Sequence, residues 1–233
     1  MQDTKKLLTI LFENKDMVAI HKPHGLLVHK TPLATDATEF AVQILRNQIG
    51  MHVYPVHRLD RKTSGVLLFA KNREANSNLQ QMFRERKVEK QYRAIVRGYT
   101  ESSFTIDYAL KNGDKDQEAK TTGRLIEKFE IDIPSGKFDT SRYSLVELTP
   151  LTGRYHQLRK HMAHILHPII GDRPHGCNKQ NRLWKEHFGM TSMMLHASRL
   201  TFEYADDQID ISCDDSVAFA SSLTILKSKD QWT

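Results

Sequence analysis

Val66-Leu67-Leu68-Phe69-Ala70 is an unbroken apolar run of strand length, set between Gly65 and Lys71. A strand without polar alternation needs cover on both faces, so the rest of the chain must supply layers around it. Residues 7–12 (LLTILF) and 17–21 (MVAIH) read as short strands flanking the turn-prone Glu13-Asn14-Lys15-Asp16, and Lys22-Pro23-His24-Gly25 then breaks the extended chain. Asp36 is placed to N-cap a helix, with Glu39 at N3 in capping-box fashion and Ala41, Ile44, Leu45 and Ile49 forming one stripe. Leu79, Met82 and Phe83 keep helical spacing over 73–87. Residues 90–97 alternate, with Tyr92, Ala94 and Val96 on one face and Gln91, Arg93 and Arg97 on the other. Two long strands are expected over 119–133 and 138–149, a helix from near Tyr155 with Leu158, Met162 and Ile165 inward, and a late strand over 194–204. No βαβ alternation or glycine-rich phosphate loop occurs. The pattern points to an α+β fold with a mixed, largely antiparallel central sheet flanked by helices.

The 233 residues are 39% hydrophobic, enough for a substantial core, and no repeat or Ser/Gly-rich linker marks a boundary, so a single domain over 1–233 is expected. No apolar run approaches the roughly 20 residues of a membrane helix, and the first segment lacks a small-residue cleavage site. Cys177 and Cys213 are too few for a disulfide framework or a cysteine zinc cluster. A cytoplasmic location without a membrane partner is expected. The net charge of +6 is unevenly spread: residues 151–200 hold eight Lys/Arg against two Asp/Glu, and residues 71–100 eight against three. Residues 101–150 and 201–233 are net acidic. Two basic segments suggest a polyanion, nucleic acid first.

Two clusters carry chemistry. The first is His57-Arg58-Leu59-Asp60-Arg61-Lys62-Thr63-Ser64-Gly65, a polar loop running into the buried strand, which is a suitable platform for a catalytic group. Asp60 lies among Arg58, Arg61 and Lys62, which favour its ionised form as nucleophile or base; an ordinary solvated turn with ion pairs is the alternative. Thr63-Ser64-Gly65 is not a G-x-S-x-G elbow, so a serine hydrolase has little support. The second cluster is Thr152-Gly153-Arg154-Tyr155-His156-Gln157-Leu158-Arg159-Lys160-His161. A helix start carrying Arg154 and His156 suits phosphate. His161 and His164 stand at i,i+3, a spacing open to zinc, but without HExxH or an adjacent acidic or cysteine ligand no metal site is assigned.

Together the clusters resemble the RluA-type pseudouridine synthases. His57-Arg58-Leu59-Asp60 with Thr63-Ser64-Gly65 is similar to that family's signature loop, Thr152-Gly153-Arg154 with His156-Gln157-Leu158-Arg159 to its second motif, and Leu195-His196-Ala197 to its third. Lys22-Pro23-His24-Gly25-Leu26 is similar to its opening strand and loop, so the matches span about residues 10–205 in order. The stretch His167-Pro168-Ile169-Ile170-Gly171-Asp172, with His175-Gly176, Gln180-Asn181-Arg182 and Met194-Leu195-His196-Ala197-Ser198, resembles the TruC subgroup, which modifies the uridine at nucleotide 65 of tRNA. Compared with relatives that carry an N-terminal S4 module, the chain is expected to consist of the catalytic domain without one.

The resemblance implies cleavage of the uridine N1–C1′ bond, rotation of the uracil and rejoining through C5, a reaction that needs no redox cofactor, nucleotide or metal. It implies that Asp60 is the essential carboxylate, paired with Arg159, whose guanidinium would orient it and lower its pKa. The base must be flipped out at a cost of a few kcal/mol. Arg58 would fill the vacated space, Tyr92 would stack on the uracil, and Leu195 would wall the pocket against water. Read from the residues alone, without the resemblance, Tyr92 is better taken as an inward-facing core tyrosine. Arg154, His156, Arg173 and Arg182 are the expected RNA contacts. RNA is the expected partner, tRNA first and ribosomal RNA the alternative, with no obligatory protein partner. A non-catalytic RNA-binding protein on the same scaffold and a histidine-liganded metal hydrolase are the rivals, and the acidic segment at 203–233 is expected to be solvated or to pack.

Overall fold

The computed structural model describes residues 7–30 and 36–228. The chain divides into two compact units, Met1–Glu89 with Ala197–Asp214, and Lys90–His196 with Asp215–Thr233, each with its own hydrophobic core.

In the first unit, β1 (Ile10–Glu13) and β2 (Met17–Lys22) pair antiparallel around Asn14, whose side-chain oxygen accepts from the N–H groups of Asp16 and Met17 at 2.9 and 2.8 Å. That side chain substitutes for a backbone turn, which is why the expected hairpin forms here. The expected cap at Asp36 does not form. α1 (Ala41–Ile49) starts after Phe40, which makes no side-chain capping bond, while the Asp36 carboxylate accepts from Arg61 Nη1 at 2.8 and 3.1 Å. A charged donor from a distant loop outcompetes the local amides, and the buried Phe40 ring begins the helix instead. After β3 (Tyr54–Pro55), β4 (Ser64–Ala70) is buried at every position, as its apolar run requires. β2 pairs with it from Met17↔Ala70 to Lys22↔Gly65. α2 (Arg73–Arg84) is capped by Asn72, which accepts from Ala75 N at 2.8 Å, and lays Ala75 and Leu79 into the core.

In the second unit, β5 (Glu89–Arg97), β6 (Ser103–Asp107), the small hairpin of β7 (Leu110–Asn112) and β8 (Lys115–Gln117), β9 (Lys120–Ile131) and β10 (Ser141–Pro150) precede α3 (Gln157–His164) and α4 (Asn178–Phe188). β10 pairs antiparallel with both β5 and β9, and β9 with β6. β11 (Leu195–Tyr204) begins in this unit and continues in the first, where β12 (Asp207–Ser212) pairs with it. Hydrogen-bonded neighbours run β1-β2-β4-β11 in the first unit and β11-β5-β10-β9-β6 in the second. The fold class is thus α+β with a large, mostly antiparallel sheet. α5 (Val217–Lys227) places Phe219, Leu223 and Leu226 in the second core. The described part of the acidic segment accordingly packs: Ile209 and Ile211 of β12 are buried too, while Asp207 and Asp210 face water.

Candidate active site

The loop before β4 is held by its backbone. Lys22, at the end of β2, is fully buried, and its ammonium donates to the carbonyls of Pro23 (2.9 Å), Leu26 (2.8 Å) and Arg61 (3.2 Å). The Arg61 carbonyl also accepts from Gly25 N at 2.8 Å, while Arg61 Nε donates to Gly25 O at 3.1 Å. Thr63 N donates to Asp60 O at 3.0 Å and closes the turn that carries Asp60. His57 Nε2 accepts from Leu68 N at 3.0 Å, which places the ring proton on Nδ1, and its ring stacks on Phe83 with centroids 4.8 Å apart. Burial pushes the Lys22 ammonium down from 10.5 to about 7, opposed by the charge of Asp60. Asp60 is half-buried between the buried Leu59 and Thr63, and Arg58 is exposed. Gly65, at φ +112°, lets this end of β4 approach β11: a Cβ there would lie 2.1 Å from the Ala197 carbonyl oxygen. Lys22 has no role assigned by the sequence motifs; an ionisable residue ending an apolar strand, followed by Pro and Gly, is the signal that marks it.

The second motif is held by side chains. Gln157, buried at the head of α3, accepts from the Thr152 hydroxyl (2.6 Å) and Arg154 N (3.0 Å), and donates to Lys120 O (3.0 Å) and Thr121 Oγ1 (3.1 Å). His161 is completely buried. Its Nε2 meets the Tyr108 carbonyl at 3.0 Å and must be the donor there, so its Nδ1 accepts from the Thr121 hydroxyl at 2.9 Å. Both ring nitrogens are therefore engaged by the protein, and burial lowers its pKa. Among the described residues no group of three or more His, Cys, Asp and Glu could hold a metal ion.

Arg159, 5% exposed, donates from Nε to Asp172 Oδ2 at 2.7 Å and from Nη2 to Oδ1 at 2.8 Å. Asp172 is itself completely buried and also accepts from His175 N at 3.3 Å. Asn181 pins this carboxylate's backbone, donating to Asp172 O and accepting from Gly171 N, both at 2.8 Å. Gly171 and Gly176 are needed for the fit: a Cβ would lie 2.0 Å from Ser192 O at the first and 1.8 Å from Asp172 O at the second. The stretch Gly171-Asp172 with Gly176 and Asn181 thus frames Arg159, a role that no local pattern announces.

The other expected residues are distributed as follows. Tyr92 is half-buried on β5 opposite Leu148 of β10, and Leu195 is buried at the start of β11. Arg154 donates from Nε to Glu118 O at 2.9 Å. His156 has a left-handed backbone (φ 56°), and its Nδ1 lies 3.0 Å from His175 Nε2. Arg173 and Arg182 are exposed, the latter on α4. The Arg159–Asp172 and His156–His175 contacts therefore bring Arg154, His156, Arg159 and Arg173 into one neighbourhood, while Arg58 and Asp60 belong to the first unit.

Residues 16–164 match the RNA pseudouridylate synthase family. The chain is 48% identical over 208 residues to tRNA pseudouridine synthase C of Vibrio cholerae, covering 84% of this chain and 85% of that one. It is 46% identical over 217 residues to the protein of the same name from Pasteurella multocida, covering 88% and 89%. The structure of human RNA pseudouridylate synthase domain containing 1 aligns with a TM-score of 0.74 at 22% identity, over 98% of each chain, and supports the fold. That of human RNA pseudouridylate synthase domain containing 4 gives 0.72 at 25% identity, over 94% of this chain and 93% of that one.

Proposed function

Since the chain belongs to the RNA pseudouridylate synthase family, we propose that it is an isomerase that converts a uridine of tRNA to pseudouridine, at nucleotide 65 as the resemblance to the TruC subgroup implies. The observation that carries the tRNA substrate is the identity of 44–48% over most of the chain to relatives named for tRNA. The geometry supports the chemistry. Asp60 stands on a turn locked by Lys22, Arg61 and Thr63, so its carboxylate is presented without a search of loop conformations. Arg159, fixed by two bonds to Asp172, is the guanidinium that the family resemblance assigns to orienting that carboxylate. Tyr92 is assigned to stacking on the uracil, Leu195 to excluding water from it, and Arg58 to filling the space the flipped base leaves. Arg154, His156, Arg173 and Arg182 are assigned to the phosphates. We read the whole chain as one catalytic domain acting in the cytoplasm; no helix among the described residues is long and apolar enough to cross a membrane.

Tritium release from RNA labelled at uridine C5 tests this, with bulk tRNA and ribosomal RNA as separate substrates. Native protein is expected to release tritium from tRNA, and Asp60→Asn to lose about 10³-fold or more in rate. Release from ribosomal RNA alone would overturn the tRNA substrate, and no release from either would leave an RNA-binding protein.

A further inference from the structure

α3, with His156 at its cap, carries an outward row whose Lys160 and His164 have no part in the proposed function. His156, Lys160 and His164 recur every four residues and so share one face, opposite the buried Leu158 and Met162. At each end of the row a tyrosine lies flat on a histidine: Tyr155 on His156, with centroids 3.7 Å apart and planes at 22°, and Tyr108 on His164, at 3.7 Å and 19°. The tyrosines are 62% and 46% exposed, so neither ring is core. The Lys160 ammonium sits 5.6 Å from the Tyr155 ring centroid, and Lys160 stands between His156 and His164 in the sequence of the row. At 1.5 Å per residue the stacks are about 12 Å apart along the helix, roughly three to four steps of a stacked strand at about 3.4 Å each. From Leu151 to Gly171 the sequence has no Asp or Glu, and Asp107, beside Tyr108, is neutralised by Lys120 at 2.9 Å.

Exposed aromatic rings flanking a cation, on a stretch whose one neighbouring carboxylate, Asp107, is paired with Lys120, suit a single-stranded nucleic acid: bases stack on the rings and a phosphate meets the cation. We propose that Tyr155 and Tyr108 are stacking platforms for unpaired bases of the RNA substrate, with Lys160 contacting the backbone between them. This rests on the proposed action on RNA and extends it from the reacting uridine to the nucleotides around it.

The test compares Tyr155→Ala, Tyr155→Phe, Tyr108→Ala and the double alanine variant with native protein, measuring tRNA affinity by filter binding at fixed salt and pseudouridine formation at varied tRNA. Each alanine is expected to weaken binding about tenfold and to raise KM in step. Tyr155→Phe, which keeps the π-face, is expected to bind as native protein does. Photo-crosslinking with tRNA containing 4-thiouridine should yield adducts at Tyr155 and Tyr108. Native affinity in the double variant would overturn the platform, as would a Tyr155→Phe defect equal to that of Tyr155→Ala. Native protein that neither binds nor modifies RNA would instead overturn the proposed function beneath it.

Discussion

The Asp60 turn in the first unit and the Arg159 helix in the second are immobilised by different chemistry. At the turn, a buried lysine and several amides bond to main-chain carbonyls, and a glycine permits the close approach of β4 and β11. Around α3, a buried guanidinium, carboxylate, carboxamide and imidazole are each bonded to at least one other side chain. Main-chain fastening sets the position of the Asp60 turn through its backbone. Side-chain fastening makes Arg159 part of the core, so the group assigned a catalytic role is also structural. The turn should therefore be sensitive to changes in backbone geometry, and the helix to removal of a single charge.

The largest effect is expected at the backbone contact. Gly65→Ala adds a Cβ at 2.1 Å from a carbonyl oxygen on a left-handed residue and should cost about 5 kcal/mol or more, read by urea unfolding. A soluble, near-native variant would break the comparison at its first term. Asp172→Ala takes the carboxylate from an almost fully buried guanidinium and should cost about 3–5 kcal/mol. Replacing both partners, Arg159→Met with Asp172→Leu, should recover most of that stability while leaving tritium release at background. Recovery of activity in that double variant would show that the pair is structural only.

Lys22 sharpens the comparison through pH. Its folded pKa is about 7 against 10.5 unfolded, so between these values the unfolded chain binds more protons. The penalty for burying the charge is fully present below pH 7 and is relieved as pH rises toward 10.5. Native stability should climb across that window relative to Lys22→Met, by at most about 1.4 kcal/mol per pH unit. Parallel profiles in chemical denaturation at pH 6 to 10 would refute a buried lysine that loses its proton. The smallest effect lies outside both fastenings: Arg182→Ala should leave stability unchanged and lower the slope of log affinity against log salt by about 0.7–0.9 if that residue contacts one phosphate.

Elements whose pattern is local were legible. β4 is buried at every position, whereas β5 does not keep the expected alternation: Gln91, Tyr92 and Arg93 are all half-buried and Ala94, Ile95 and Val96 all buried, because the second core covers both faces of the strand there. α4 was not foreseen: Leu183 and Trp184 are buried on an otherwise polar segment, and Gln180 faces inward to accept the Tyr143 hydroxyl at 2.6 Å. A helix that buries a carboxamide leaves little apolar periodicity to read. Asp36 had the capping pattern but was taken by Arg61, 25 residues away.

From sequence alone came the strand-and-helix vocabulary, the Asp60 and Arg159 motifs and the basic segments, because side-chain periodicity and residue order act over a few neighbouring positions. The tertiary structure decided which partner each buried polar group takes: Asp172 for Arg159, the Arg61 carbonyl for Lys22, Thr121 for His161 and Gln157. It also laid Tyr108 on His164, 56 residues along the chain. Desolvated charges and amides must be satisfied wherever a partner is brought within about 3 Å, and that proximity is a property of the packed chain rather than of any local stretch.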